Sequence, residues 1–574
     1  MPNHEIAAVF DDMAGLREVQ GANKCRVRAY RNAARSIDNL GRSVAEMAER
    51  GEDLSAIPGI GKELARKAVE ISATGSLADL TRLRRQVPRA VTELMDLPGL
   101  GPNKARQLHE ALGVATRSEL AEAAQAGRIR RVPGFGPKTE ERILAELAAR
   151  RSDKGSNRSR FRHADVEQVV EGLLAHVRRD RGVVRAEAAG SFRRGKETVG
   201  DIDMVAACRP GYSVIDHFVS FGGISRVVSK GPTRATVVMR SGLQVDLRSV
   251  DKDSWGAALH YFTGSRAHTL KIRLMAQRAG LKVNEYGVYD GDRKIAGETE
   301  EDVNAALGLP YIEPELREDR GEVEAGLDGR LPELVTEGDI RGNLHTHTVA
   351  TDGRMTLRQV ADGAMARGYE YIAVTDHTQS LRITNGQDPA RVLAQFAEID
   401  RLNDELEGRL RVLKSAEVDI LLDGSLDLPD GVLREMDVVV CSVHSHFKLP
   451  RKHQTERIIR AISKPCPIIL GHGTGRKINV REPYDVDIEA VIDAAARLGR
   501  VLEVNGQPER LDINDVYAKM AKEAGVKLSV STDAHRLSEF DFMRHGVMQA
   551  RRGWLEARDV INTLPLEEML ASFG

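Results

Sequence analysis

The chain has 574 residues, more than one hydrophobic core can serve, so about three or four domains are expected. Charged residues make up 29% and aromatic residues 4%, a balance that fits a soluble, helix-rich α/β protein. No run of about 18 apolar residues occurs, no basic stretch precedes an apolar one at the N-terminus, and the four cysteines form no CxxC pair, which excludes a membrane span, a secretory signal and a disulfide framework and makes a cytoplasmic location the expectation.

Charge is unevenly spread. Residues 1–160 carry 28 Lys and Arg against 21 Asp and Glu, a net of +7, so the rest of the chain carries −8. A basic first third joined to carboxylate-rich later domains fits a nucleic-acid grip coupled to metal-dependent chemistry. That third holds three similar stretches, IPGIGKELARKAVEI (57–71), LPGLGPNKARQLHEAL (97–112) and VPGFGPKTEERILAEL (132–147). Each is a Pro-Gly-apolar-Gly turn followed by an amphipathic helical run. Gly59 and Gly61, Gly99 and Gly101, Gly134 and Gly136 make the turns, with Lys62, Lys104 and Lys138 just behind. Exposed N–H groups at a helix start, backed by a cation, take a phosphate. The pattern resembles the helix-hairpin-helix motif, which grips the DNA backbone without reading sequence.

RRSDKGSNRSRFRH (150–163) is basic, Ser/Gly-rich and aperiodic, and reads as a linker. Beyond it, GSFRRGKETVGDID (190–203) joins a Gly-Ser turn, three cations and a D-x-D pair. On a strand, Asp201 and Asp203 project to one face. Asp246 in the strand-like run LQVDLR can lie alongside, and three carboxylates suit two divalent cations for in-line phosphoryl transfer. Ser191 and Arg194 upstream would hold the β and γ phosphates, so the cradle and the carboxylates are two halves of one nucleotide site.

This segment resembles the family X DNA polymerases, through GSFRRGKETVGDID, SKGPTRATVV, LQVDLR, YFTGS and GLKVNEYGVY. The resemblance implies a nucleotidyltransferase palm holding Mg²⁺ or Mn²⁺ on Asp201, Asp203 and Asp246. It also implies triphosphate contacts from Gly190, Ser191, Arg194 and Gly200. YFTGS implies that Tyr261 and Phe262 leave no room for a 2′-hydroxyl, and that Gly264 and Ser265 allow close backbone approach. Arg273 matches a position on the template side. GKELARKAVEISATG (61–75) matches the helix of a small lyase domain, with Lys67 at the Schiff-base position if neighbouring cations lower its pKa. Glu63 stands where lyase members often have another lysine.

An acidic, Pro-containing stretch near 313–337 reads as a second linker. After it, strand-like runs alternate with helical ones, an α/β pattern with parallel strands and plausibly a barrel. Nine of the sixteen histidines lie here, clustered with carboxylates at strand ends: HTH (345–347), Asp352, TDH (375–377), Glu417, His444, GHGTGR (471–476) and TDAH (532–535). Such a donor set suits two or three Mn²⁺, Zn²⁺ or Fe²⁺ ions and phosphate-ester hydrolysis. The segment resembles the polymerase and histidinol phosphatase (PHP) domain. That resemblance implies His345, His347, Asp352, His377, Glu417, His444, His472, Asp533 and His535 as ligands, with Arg476 and His446 as helpers to the phosphate. Asn343 replaces a usual Asp, which would weaken the orientation of the neighbouring histidines, and Gly473 replaces a Pro.

The expected order is a small lyase-like, DNA-end-binding domain (1–80), helix-hairpin-helix fingers (81–152), linker (153–163), palm (164–255), thumb (256–316), linker (317–338) and PHP domain (339–574). The activity implied is a monomeric, nucleoid-associated repair polymerase. It would act on gapped, nicked or primer-template DNA with dNTPs and trim 3′ ends through the PHP site. The rivals make that site an abasic-site endonuclease, a 3′-phosphatase, a small-molecule phosphatase or a structural platform, or make the palm template-independent.

Overall fold

The structure is a computed structural model and describes residues 3–38, 40, 44–86, 102–114, 116–137, 139–140, 143–144 and 160–573. The chain forms two compact units, Met1–Ser159 and Arg160–Gly574. Among the described residues no helix is long and apolar enough to cross a membrane.

The first unit is helical, with one core that includes Phe10, Tyr30, Ile57, Ile60, Val132 and Phe135. Its first and third glycine turns share one geometry. Each follows a single 3-10 turn, Leu54–Ala56 or Ile129–Arg131. Gly59 and Gly134 have φ of 85° and 84°. In both, the apolar residue after the first glycine donates its N–H to the apolar residue before the proline, at 3.0 Å (Ile60 to Ile57, Phe135 to Val132). Burial of these residues pins the turn and leaves the glycine backbone outward. Gly99 and Gly101 of the second copy, Lys138 and residues 145–159 lie outside the described residues.

The second unit holds separate main cores for three successive segments, about 166–247, 257–334 and 335–560. The palm is a five-stranded sheet in the order Val183–Ala188, Asp201–Cys208, Gln244–Asp251, Arg234–Met239, Ile224–Lys230. The thumb follows, and Arg193 forks onto Glu300 to tie it to the palm. The expected linker 317–338 is not a spacer. Arg317 is fully buried against Glu300, Glu322 is fully buried on His268 at 2.7 Å, and Glu322–Leu327 is helical. Its Glu318 meets buried Arg552 and its Glu322 meets buried His268, partners that an acidic, Pro-containing composition does not reveal.

The C-terminal segment is all-parallel. Three strands (Gly342–Asn343, Tyr371–Val374, Arg411–Lys414) form one sheet and five (Glu417–Asp419, Val439–Ser442, Ile468–Leu470, Val501–Asn505, Leu528–Ser531) another. Parallel bridges His377–Glu417 and Thr346–Ala534 link the two sheets at both edges, giving a distorted barrel.

Candidate active sites

In the palm, strands 201–208 and 244–251 run parallel with Asp203 in register with Asp246. The two carboxylates differ electrostatically. Asp246 accepts from Arg234 (2.8 Å), Thr236 (2.5 Å) and Gln244 (2.8 Å). Burial opposes its charge, but these hydrogen bonds prevail and hold it below the usual aspartate range. Asp203 has no such cradle; burial, with the Asp201 and Asp246 charges, pushes it up to about 6. A crowded acidic group of this kind fits a divalent cation. Gly190 opens the cradle at φ 62°, and a Cβ there would stand 2.4 Å from Asp203 Oδ2. The glycine is therefore required by the carboxylate beneath it.

Ser191 is half-buried on the short helix Gly190–Arg193. Arg194 donates from Nε to Glu318 at 3.0 Å and from Nη1 to the Thr263 carbonyl at 2.5 Å. Tyr261 and Phe262 meet edge to face at 5.2 Å, and Arg248 lies over the Phe262 ring at 4.9 Å. Ser265 caps the helix Arg266–Arg278, on which Arg273 is exposed. A Cβ on Gly264 would lie 3.1 Å from Arg194 Nη1, so the thumb turn and the cradle loop meet there.

In the barrel, all nine side chains named from the sequence converge. Glu417 sits at their centre. Its Oε2 lies 2.9 Å from His377 Nδ1, 3.6 Å from His345 Nε2 and 3.7 Å from His347 Nε2, while Oε1 faces His472 (2.8 Å) and His444 (3.2 Å). His347, Asp352, His377 and His535 offer ligand atoms within 4.8 Å of one another, as do His345, His347 and Asp533, and His377, Glu417 and His444. Buried His345 Nε2, both His347 nitrogens and His472 Nδ1 have no hydrogen-bond partner. Orphaned imidazole nitrogens turned toward shared carboxylates fit divalent metal ions, which these residues would hold. Without a metal, burial and the nearby His535 and His377 hold His347 down at about 4. His377 rises to about 10, because Glu417 and Asp352 outweigh its burial.

The rings are oriented from behind. His345 Nδ1 meets Glu503 at 2.7 Å, His444 Nδ1 meets Asp419 at 2.9 Å, and His535 Nδ1 meets the Asp533 carbonyl at 2.9 Å. Asn343 does not orient a ring. It ties two strands together, donating to Thr532 Oγ1 at 2.6 Å and accepting from the Thr532 N–H at 3.1 Å. Three expectations need correction. Arg476, read as a phosphate helper, forks onto palm Glu197 at 3.2 and 2.7 Å. His446 is exposed. Lys67 does not meet the condition set for a nucleophile: it is 4% exposed and lies among Tyr30, Glu63 (3.0 Å) and Asp79 (3.1 Å). Burial works to lower its pKa, but these partners outweigh it and hold the amine above the ordinary lysine value.

Sequence reasoning missed Glu503, Asp419 and Arg510. Arg510 Nε is 3.5 Å from Asp533 Oδ2, and its buried Nη1 has no partner. The first two are acids inside apolar strand runs, a signal that could have flagged them; Arg510 sits in a loop with none. A separate group, His163, Glu167 and His545, lies where palm and barrel helices meet.

Residues 1–77 match the helix-hairpin-helix domain family, 91–149 the SAM-like helix-hairpin-helix tandem, 160–255 the DNA polymerase beta palm and 258–318 the DNA polymerase beta thumb. The chain is 35% identical to the DNA polymerase/3′-5′ exonuclease PolX of Bacillus subtilis (strain 168), over 100% of this chain and 99% of that one. Over 33% of its length it is 34% identical to a protein named probable phosphatase from Thermoanaerobacter sp. (strain X514), covering 77% of it. It is 26% identical to DNA polymerase lambda of Rattus norvegicus over 55% of this chain and 56% of that one.

Proposed function

The chain belongs to the family X DNA polymerases that carry a C-terminal PHP domain, and from that premise we propose that it fills gaps in DNA during repair and trims 3′ ends in the barrel. The observation that carries this reading is the presence of two chemically distinct acidic centres in one chain. One is a three-aspartate group under a glycine-walled cradle; the other is a histidine-rich cluster around Glu417.

In the palm, Asp201, Asp203 and Asp246 hold Mg²⁺ or Mn²⁺, and Gly190, Ser191, Arg194 and Gly200 receive the triphosphate. Tyr261, Phe262, Gly264 and Ser265 line the sugar, and Arg273 faces the template. In the barrel, His345, His347, Asp352, His377, Glu417, His444, His472, Asp533 and His535 hold two or three Mn²⁺, Zn²⁺ or Fe²⁺ ions. Bound cations supply charge neutralisation and Lewis acidity at the reacting phosphate. Arg194 supports the triphosphate charge from a guanidinium already fixed by Glu318 and Thr263. Arg510 has an unpaired Nη1 to offer a phosphate oxygen. The glycine turns, with Lys62, Lys104 and Lys138, grip the DNA backbone. The protein works as a monomer on gapped, nicked or primer-template DNA, in the cytoplasm at the nucleoid.

A second reading makes the barrel a phosphatase, as its likeness to a probable phosphatase favours. The decisive assay uses a 5′-labelled primer on a one-nucleotide-gapped duplex with Mn²⁺, with and without dNTPs. Asp203→Ala should abolish extension alone and His345→Ala shortening alone. Shortening that survives in His345→Ala, or never occurs, removes the exonuclease assignment.

A further inference from the structure

The loop Arg193–Glu197 joins the cradle turn to the strand bearing Asp201 and Asp203. One side of it faces the nucleotide site and the other is cast against the barrel domain. Arg552, at the end of the barrel helix Met543–Arg552, is 2% exposed. Its Nη1 donates to the Arg194 carbonyl at 2.6 Å and to Glu318 Oε1 at 3.2 Å, and its Nη2 to Asp515 at 2.6 Å. Glu318 in turn accepts from the Arg194 side chain. The main chain and side chain of Arg194 are thus held through one barrel arginine. One turn earlier, Met548 packs on Gly195, whose φ is 63° and where a Cβ would stand 2.6 Å from Met548 Cγ. Arg476, four residues after His472, forks onto Glu197.

We propose that the barrel domain is a positioning element of the polymerase site: Arg552, with Met548 behind Gly195, presets the triphosphate-binding loop independently of any hydrolysis in the barrel. This rests on the reading of that loop as the triphosphate cradle. The physical reason is preorganisation. Without the Arg552 guanidinium, the Arg194 carbonyl loses its donor and Glu318 and Asp515 each lose one, so the loop backbone is freed and the carboxylate that holds the Arg194 side chain is no longer fixed from the barrel side. A displacement of about 1 Å at a phosphate-binding loop lowers nucleotide use up to about a hundredfold. The glycine turns read as the DNA grip lie in another unit, and Arg552 holds the cradle loop rather than the helix of Arg273, so the effect falls on dNTP more than on DNA.

The test uses the full-length chain on the one-nucleotide-gapped duplex, reading kcat and KM separately for dNTP and for DNA, together with Mn²⁺-dependent shortening and a melting curve. Arg552→Met should raise KM for dNTP about ten- to hundredfold, with KM for DNA and shortening within about twofold of wild type. Arg552→Lys should recover only part of the loss, since one ammonium cannot reproduce the fork. Gly195→Ala should shift KM for dNTP in the same direction. His345→Ala should lose shortening with KM for dNTP unchanged. A folded Arg552→Met with wild-type KM for dNTP, or with dNTP and DNA affected equally, overturns the proposal. If Arg552→Met does not fold, wild-type KM in both Gly195→Ala and Met548→Ala overturns it. Failure of the wild type to incorporate any dNTP would sink the polymerase reading, and this one with it.

Discussion

Glu503 Oε1 lies 2.7 Å from His345 Nδ1, with both side chains fully buried inside the barrel. Its other oxygen accepts from the His472 N–H at 2.7 Å, so one carboxylate fixes two histidines of the cluster around Glu417. Removing such a partner costs about 10- to 100-fold in metal affinity. Glu503→Gln should therefore weaken Mn²⁺ binding by about that factor, read by equilibrium dialysis, with primer extension intact. Unchanged Mn²⁺ affinity would show that ring orientation does not depend on Glu503.

Gly190→Ala tests the palm. The new methyl group would stand 2.4 Å from Asp203 Oδ2 on a backbone at φ 62°. Either the cradle or the carboxylate must move, and misplacement of about 1 Å costs about a hundredfold. Extension should fall by about that much while shortening in Mn²⁺ persists. A variant that extends primers normally would mean the cradle does not sit over the metal-binding aspartates.

How much of this was legible in the sequence depends on distance along the chain. Strands 201–208 and 244–251 announce themselves by apolar runs, and the D-x-D spacing fixes which faces the aspartates share. The nine clustered barrel side chains are legible because all but Asp352 closely follow or open a strand run, and parallel barrels gather strand ends. What stayed hidden are partnerships across long separations. Arg476 looks like a phosphate helper beside His472, yet its partner Glu197 is 279 residues away. The stretch 317–338 looks like a linker because it is acidic and Pro-containing, while Arg552 and His268, the partners of Glu318 and Glu322, are remote. Asn343 looks like a lost ring orienter, because its bond to Thr532 is formed only by strand closure.

Glu318 makes stability depend on pH. Burial opposes its charge, but Arg552, Lys196 and Arg194 outweigh it and hold the carboxyl down at about 2, against an ordinary 4.5. The folded pKa lies below the unfolded one, so the contribution is complete above pH 4.5 and is lost as pH falls toward 2. A shift of that size corresponds to about 3 kcal/mol. Glu318→Gln should destabilise the second unit by up to about that amount at pH 7 in a denaturant titration. The gap to wild type should close as pH falls from 4.5 toward 2. A gap constant over that range would show that the pairing contributes nothing through charge.

Arg510 has a buried, unpaired Nη1 beside Asp533. A group that binds the phosphate more tightly as charge builds raises kcat. Arg510→Lys should lower the rate of 3′ shortening about 10- to 100-fold, with Mn²⁺ stoichiometry unchanged. A loss of bound metal in this variant would instead make Arg510 a support for Asp533.

Lys67 is set as a structural cation and not as a nucleophile. An amine that forms a Schiff base must be neutral for part of the time and open to the aldehyde. Lys67 is 4% exposed, with Glu63 at 3.0 Å and Asp79 at 3.1 Å; burial opposes its charge, but Tyr30 and these carboxylates outweigh it and hold its pKa up. Borohydride should trap no covalent adduct between the wild-type chain and a 5′-terminal abasic sugar. Lys67→Met should leave Tyr30, Glu63 and Asp79 without their shared donor and destabilise the first unit, by less than the about 3–5 kcal/mol of a fully buried pair because Glu63 is half-exposed and Asp79 keeps Arg82. A trapped adduct that disappears in Lys67→Met, with the melting temperature unchanged, would reverse both halves of this assignment.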